Sequence, residues 1–166
     1  KMFLREGELV SIENLIKGII VHSGNDACIV IAEGLSGTEE SFANDMNKFA
    51  KIIGLKDFFF KNSTGWPEKD HVMSARDLLF LSEYIIRNYS KYYFYFSQQD
   101  FTWDNITQKN RNPILNSGLG ADGLKTGHTE EAGYGLVGSA KRGDRRIVFV
   151  ITGMNSKKER EREAEK

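Results

Sequence analysis

The chain has one cysteine, Cys28, and two prolines, Pro67 and Pro113, in 166 residues. A single thiol excludes an internal disulfide and cannot by itself build a metal site. The histidines, at 22, 71 and 128, lack ligand-like spacing, so no metal and no cofactor is implied. Neither sign of charge prevails, because 23 basic and 23 acidic side chains cancel. A general nucleic-acid binder carries a basic excess to neutralise phosphates, so that class is disfavoured. Apolar runs such as Ala27–Ala32 and Ile147–Ile151 fall far short of the ~18 to 20 residues that a spanning helix needs. The chain opens on Lys1 with no leader pattern, and a processed or partial polypeptide is therefore expected.

What is present argues for a folded domain. The 11 Phe, 6 Tyr and 2 Trp supply apolar bulk that disordered chains lack. A chain of this length buries roughly 70% of its unfolded surface.

The first half reads as helical. Ser11 caps a short helix with Ile12, Leu15, Ile16 and Ile19 on one side, and Gly18 is expected to weaken its end. A turn at His22, Ser23 and Gly24 leads to the apolar run Asn25–Glu33, predicted as a helix buried on most sides. Thr38 opens an amphipathic helix carrying Phe42, Met46, Phe49, Ala50 and Ile53, with Gly54 as its stop. Ser74 and Asp77 have the spacing of a capping box before a helix that runs to about Arg87.

Between and after these helices the pattern changes. Asn62–Pro67 is a cluster of turn formers, and Tyr92–Phe96 and Phe101–Trp103 read as extended or loop aromatic segments. Asp122–Thr129, Tyr134–Ala140 and Arg146–Thr152 read as strands, with Lys141–Asp144 as a hairpin connection. The predicted fold class is α+β, α/β in its layering, with a mainly antiparallel sheet flanked by helices. Residues 1–153 form the domain; 154–166 is a charged segment, either a solvated tail or the start of a helix.

Ser23-Gly24-Asn25 and Lys125-Thr126-Gly127 are the two short motifs that carry potential chemistry. Alone, each has a structural reading: a helix N-cap for Ser23, and the start of a strand with an exposed lysine at 125. His71 reads as packing or capping near a helix start, and Cys28 as a small core residue.

Order and context favour more. Ser23-Gly24-Asn25-Asp26-Ala27, Ser74-Ala75-Arg76-Asp77-Leu78, Asn110-Arg111-Asn112, Asp122–Thr129 and Ala132-Gly133-Tyr134 occur in succession. In this order they resemble the D-alanyl-D-alanine carboxypeptidases, low-molecular-mass penicillin-binding proteins, from Met2 to about Gly153. The resemblance implies a β-lactamase/transpeptidase-like fold and a serine peptidase that removes the terminal D-alanine of the peptidoglycan stem pentapeptide. The reaction passes through an acyl-enzyme that β-lactams trap. Under it, Ser23 relays a proton towards the leaving amine, Asn25 hydrogen-bonds the substrate backbone, and Lys125 supplies positive charge. Thr126 and Arg111 hold the substrate carboxylate, Gly127 belongs to the same motif, and the His128 N–H is an oxyanion donor. The location implied is the periplasm or the outer face of the cytoplasmic membrane.

One family element is missing from these residues. No serine here is followed three places on by lysine, so the nucleophile and base of the Ser-x-x-Lys motif lie outside this sequence. This chain alone is expected to be inactive, truncated at both ends, and in need of the upstream segment as a partner. Its cut surfaces are expected to be exposed, with a paired copy as one way to cover them. A β-lactamase on the same fold and a non-catalytic wall-binding module are the alternatives.

Overall fold

Ser11 accepts a hydrogen bond from the Asn14 N–H and starts α1 (Ile12–His22), as its position before an apolar periodicity predicts. In the computed structural model, which describes residues Lys1–Lys166, the chain divides into two compact units. One comprises residues 1–77 and 100–109, the other 78–99 and 110–166.

The first unit continues with α2 (Asn25–Ser36) and α3 (Glu39–Ile53). Thr38 caps α3 through the Ser41 N–H, and Gly54 closes it with a left-handed φ of 95°. Two small antiparallel pairs follow: β1 (Phe58–Phe59) with β2 (Val72–Met73), and β3 (Asp100–Trp103) with β4 (Ile106–Lys109). The β3–β4 turn is Asp104-Asn105, both at positive φ, the conformation whose twist suits a two-residue hairpin. Met2, Leu15 and Ala27 form the core, packed by Leu4, Ile19, Ile31, Phe101 and Trp103.

Three expectations change here. Gly18 lies within α1, which runs on to His22, instead of weakening its end, and a Cβ there would run into the Met2 sulfur that covers it. α2 is not buried on most sides: only Ala27 and Ala32 are buried, while Val30 and Leu35 are 40% and 70% exposed. Its packing partners are α1 and α3, which cover one flank and leave Cys28 half-buried instead of in the core.

Helix α4 (Ala75–Asn88) carries the division between the units, after Asp77. Its start is half of a capping box: Ser74 Oγ accepts the Asp77 N–H. The Asp77 carboxylate does not return the bond; it accepts the N–H groups of Lys56 and Asp57 instead.

The second unit contains a sheet ordered β5-β6-β7, formed by β5 (Ala121–Thr129), β6 (Gly133–Arg142) and β7 (Arg145–Met154), all antiparallel. Val137 and Leu124 pack against Tyr93, with Leu78, Ile85 and Ile86 of α4 and Val148 and Val150 of β7 around them. Tyr92–Phe96 is not extended: Ser90–Ser97 is a 3₁₀ helix, in which Tyr93 and Phe96, three apart, both reach that core. Residues 157–164 form α5, capped by Ser156 and packed on β6 and β7.

Candidate active site

Ser23 and Asn25 lie together in the first unit, at the junction of α1 and α2. Ser23 ends α1 in the left-handed region, φ 51° and ψ 49°, and Gly24 takes the N-cap position of α2 with no side chain to accept a first-turn N–H. The N-cap reading of Ser23 is thereby corrected: its hydroxyl sits one residue too early to cap α2. Its N–H and that of Gly24 both donate to Gly18 O, closing the helix and reversing the chain. A serine pays for this conformation, since its Cβ crowds the backbone there, and such strain persists only where surrounding contacts over-determine it.

Asp26 supplies one such contact. Its Oδ2 accepts the Met2 and Phe3 N–H groups at 2.9 and 2.7 Å, and its Oδ1 accepts those of Met2 and Ala27 at 3.0 and 3.1 Å. Burial works upward on the carboxyl, but these donors outweigh it and hold its pKa below the ordinary value. The two motifs by themselves do not mark Asp26 as a functional residue. Its signal was an acid in the first turn of a helix.

Lys125, Thr126, Gly127, His128 and Arg111 all lie in the second unit. The first four are consecutive on β5, which pairs with β6 on one side and with no strand on the other. Lys125 is opposite Val137, Thr126 opposite Leu136 and His128 opposite Tyr134. The two-residue period of a strand sends Lys125 to one face and Thr126 and His128 to the other. Lys125 Nζ donates to Thr126 O at 2.9 Å, and the His128 ring lies on Tyr134 with centroids 3.9 Å apart.

The start of β5 is anchored deep in the unit. Arg146 reaches across the sheet to Asp122, and Tyr93 Oη donates to the same carboxylate at 3.1 Å. At Gly123 a Cβ would stand 2.4 Å from Tyr93 Oη, so only glycine admits the strand this close. Burial, with the Asp122 charge adding to it and a Ser139 hydrogen bond opposing, pushes the Tyr93 phenol up to about 12.

Arg111 is presented by a pinned turn. Asn110 donates its side-chain amide to Gln98 O at 2.9 Å and accepts the Asn112 N–H at 2.9 Å. Asn112, itself buried, caps the 3₁₀ turn Pro113–Asn116 through the Ile114 N–H. Between these two fixed neighbours the Arg111 side chain is exposed, and its planar fork is suited to a carboxylate. The flanking asparagines carry the signal, because Asn favours turns by bonding its own backbone.

His71 packs as expected: its Nδ1 accepts the Lys61 N–H at 3.1 Å and its ring meets Phe60.

Known proteins resemble this chain over nearly its whole length. Residues 1–156 match the family described as D-alanyl-D-alanine carboxypeptidase. The chain is 43% identical to D-alanyl-D-alanine carboxypeptidase DacD of Escherichia coli over 166 residues, 99% of this chain and 43% of that protein. It thus spans about half the length of the curated relatives it matches. Penicillin binding protein 5 from Haemophilus influenzae superposes with a TM-score of 0.95 at 40% identity, over 99% of this chain and 48% of that one. Penicillin-binding protein D2 from Listeria monocytogenes, in its ampicillin-bound form, superposes at 0.86 with 30% identity, over 93% of this chain and 65% of that one. The expected β-lactamase/transpeptidase-like α+β fold is therefore the observed one. With motif order, fold and sequence in agreement, the chain belongs to the D-alanyl-D-alanine carboxypeptidase family.

Proposed function

We propose that this chain supplies most of the catalytic domain of a serine-type D-alanyl-D-alanine carboxypeptidase, which trims the terminal D-alanine from peptidoglycan stem pentapeptide and is acylated by β-lactams. The observation that carries the reading is the unpaired edge of β5, which bears Lys125, Thr126, Gly127 and His128 in sequence. A substrate peptide adds itself there as a further strand, its backbone bonding the strand edge and its carboxylate meeting Thr126 and Arg111. The His128 N–H polarises the scissile carbonyl as one oxyanion donor. Lys125 adds positive charge, and Ser23 passes the proton towards the departing D-alanine while Asn25 grips the substrate amide. The attacking serine and its lysine come from residues outside these 166.

The ampicillin bound by the Listeria relative supports acylation by β-lactams. No helix here is long and apolar enough to cross a membrane, and the stem-peptide substrate puts the protein on the wall side of the cytoplasmic membrane. The test is D-alanine release from a synthetic peptide ending in D-Ala-D-Ala, using the whole polypeptide that carries this segment. Release that Lys125→Ala and Arg111→Ala abolish or cut at least about tenfold supports the reading, in line with the loss of a charge-assisted contact. No release, or rapid nitrocefin turnover in its place, overturns it.

A further inference from the structure

We propose that His22 is a positioning residue for the Ser23 turn: its imidazole, protonated on Nε2 and accepting on Nδ1, ties the end of α1 to the β3–β4 hairpin and holds Ser23 in its left-handed conformation. This rests on the reading of Ser23 as the proton relay.

His22 is 1% exposed, one of the most buried polar side chains in the protein. Its Nε2 stands 2.8 Å from Phe101 O, and a carbonyl only accepts, so Nε2 carries the proton. The Gln108 side-chain amide has two N–H groups, of which one donates to Lys1 O at 3.0 Å and the other to His22 Nδ1 at 3.2 Å. Nδ1 is therefore the acceptor, and one tautomer satisfies every partner. The ring also lies against Phe101, with centroids 5.1 Å apart.

The segment Lys1–Phe3 joins this contact to the other side of the turn. Lys1 O is held by Gln108, while the N–H groups of Met2 and Phe3 are held by Asp26. Met2 then covers Gly18, whose carbonyl receives the Ser23 and Gly24 N–H groups. His22 and Asp26 thus bracket Ser23-Gly24-Asn25; Asp26 bonds the Lys1–Phe3 stretch directly, and His22 reaches it through Gln108. An apolar residue at 22 would fill the space but take away the imidazole donor to Phe101 O and the acceptor of a Gln108 N–H, both part-buried. The strained serine would then lose one of the contacts that over-determine it.

The experiment uses the whole polypeptide carrying this segment, with D-alanine release as the assay. His22→Phe keeps the ring and its face on Phe101 but removes both nitrogens; kcat is expected to fall about tenfold with KM within about twofold, as for a misplaced catalytic group. His22→Gln, which retains one donor and one acceptor, is expected to recover kcat to within about threefold of the unsubstituted protein. Unchanged kcat in His22→Phe, a loss confined to KM, or failure of the glutamine to rescue overturns the proposal. If His22→Phe does not fold, Gln108→Met, which leaves the ring in place but removes the donors to Nδ1 and to Lys1 O, is expected to lower kcat about threefold, and no change overturns the proposal. Nitrogen-15 NMR of the unsubstituted protein gives the tautomer directly, and a proton on Nδ1 at neutral pH overturns it. Absence of D-alanine release in the unsubstituted protein overturns the functional reading and the catalytic part of this one. Release with an indifferent His22→Phe overturns this one alone.

Discussion

The Arg146 guanidinium meets the Asp122 carboxylate side-on, Nη1 to Oδ1 and Nη2 to Oδ2, both at 2.8 Å. The pair is three-quarters buried on each side, with Tyr93 and Ser139 completing its hydrogen bonds. Asp122→Ala leaves Arg146 charged and the Tyr93 hydroxyl without its acceptor. The expected loss is about 2 kcal/mol, below the fully buried case because some solvent reaches both groups. Urea denaturation measures it. A loss under about 0.5 kcal/mol would make this an ordinary surface pair.

Gly123→Ala drives a methyl group into Tyr93 Oη and the Phe96 Cβ. Overpacking of this kind costs about 1–3 kcal/mol, and thermal unfolding should register it. Combining it with Tyr93→Phe removes the oxygen that the methyl strikes, so the double variant should lose less than the two single losses added together. Strict additivity would show that the strand shifts to avoid the contact.

Tyr93, held at about 12, binds its proton more tightly folded than unfolded. Between pH 10 and 12 the unfolded chain has released that proton while the native state retains it, so stability falls as pH rises through this window. Phenolate absorbance is the readout. The difference between the native protein and Tyr93→Phe should show one group titrating well above the ordinary tyrosine range.

Asp26 behaves in the opposite sense. Its depressed pKa means that its contribution is complete above the unfolded value near 3.8 and is lost as pH falls through the lower, folded one. Asp26→Asn should flatten the acid limb of the stability curve and cost about 1–2 kcal/mol at neutral pH. Faster amide exchange at Met2 and Phe3 in the variant would tie the effect to the bonds seen here.

Incubated alone with benzylpenicillin, this 166-residue polypeptide should gain no covalent mass, since no serine in it is followed three places on by lysine. Intact-mass spectrometry decides. A stoichiometric penicilloyl adduct would mean that a serine among these residues is the nucleophile.

Local rules made much of the fold legible. Ser11, Thr38 and Gly54 cap helices because the groups they satisfy lie within a few residues. The strand runs at 122–129, 134–140 and 146–152 fall inside β5, β6 and β7, where side chains alternate and hairpins link neighbours. Tyr92–Phe96 was not legible, since an aromatic run carries no period that separates a loop from a 3₁₀ helix. The burial of α2 escapes the sequence for a related reason: apolar content reports what a helix can bury, and only its neighbours set what it does bury.

By itself the sequence determined the motifs, their order and the family they mark, because residue types at short spacing are a property of the chain alone. Tertiary structure decided that Ser23 sits in a left-handed turn, that β5 keeps one edge unpaired, and that His22 has both ring nitrogens satisfied. Each depends on partners distant in sequence: Met2 over Gly18, β6 along β5, and Phe101 and Gln108 around the imidazole. A hydrogen bond or a packed contact exists only when both members arrive, and a single residue's chemistry does not say who the other will be.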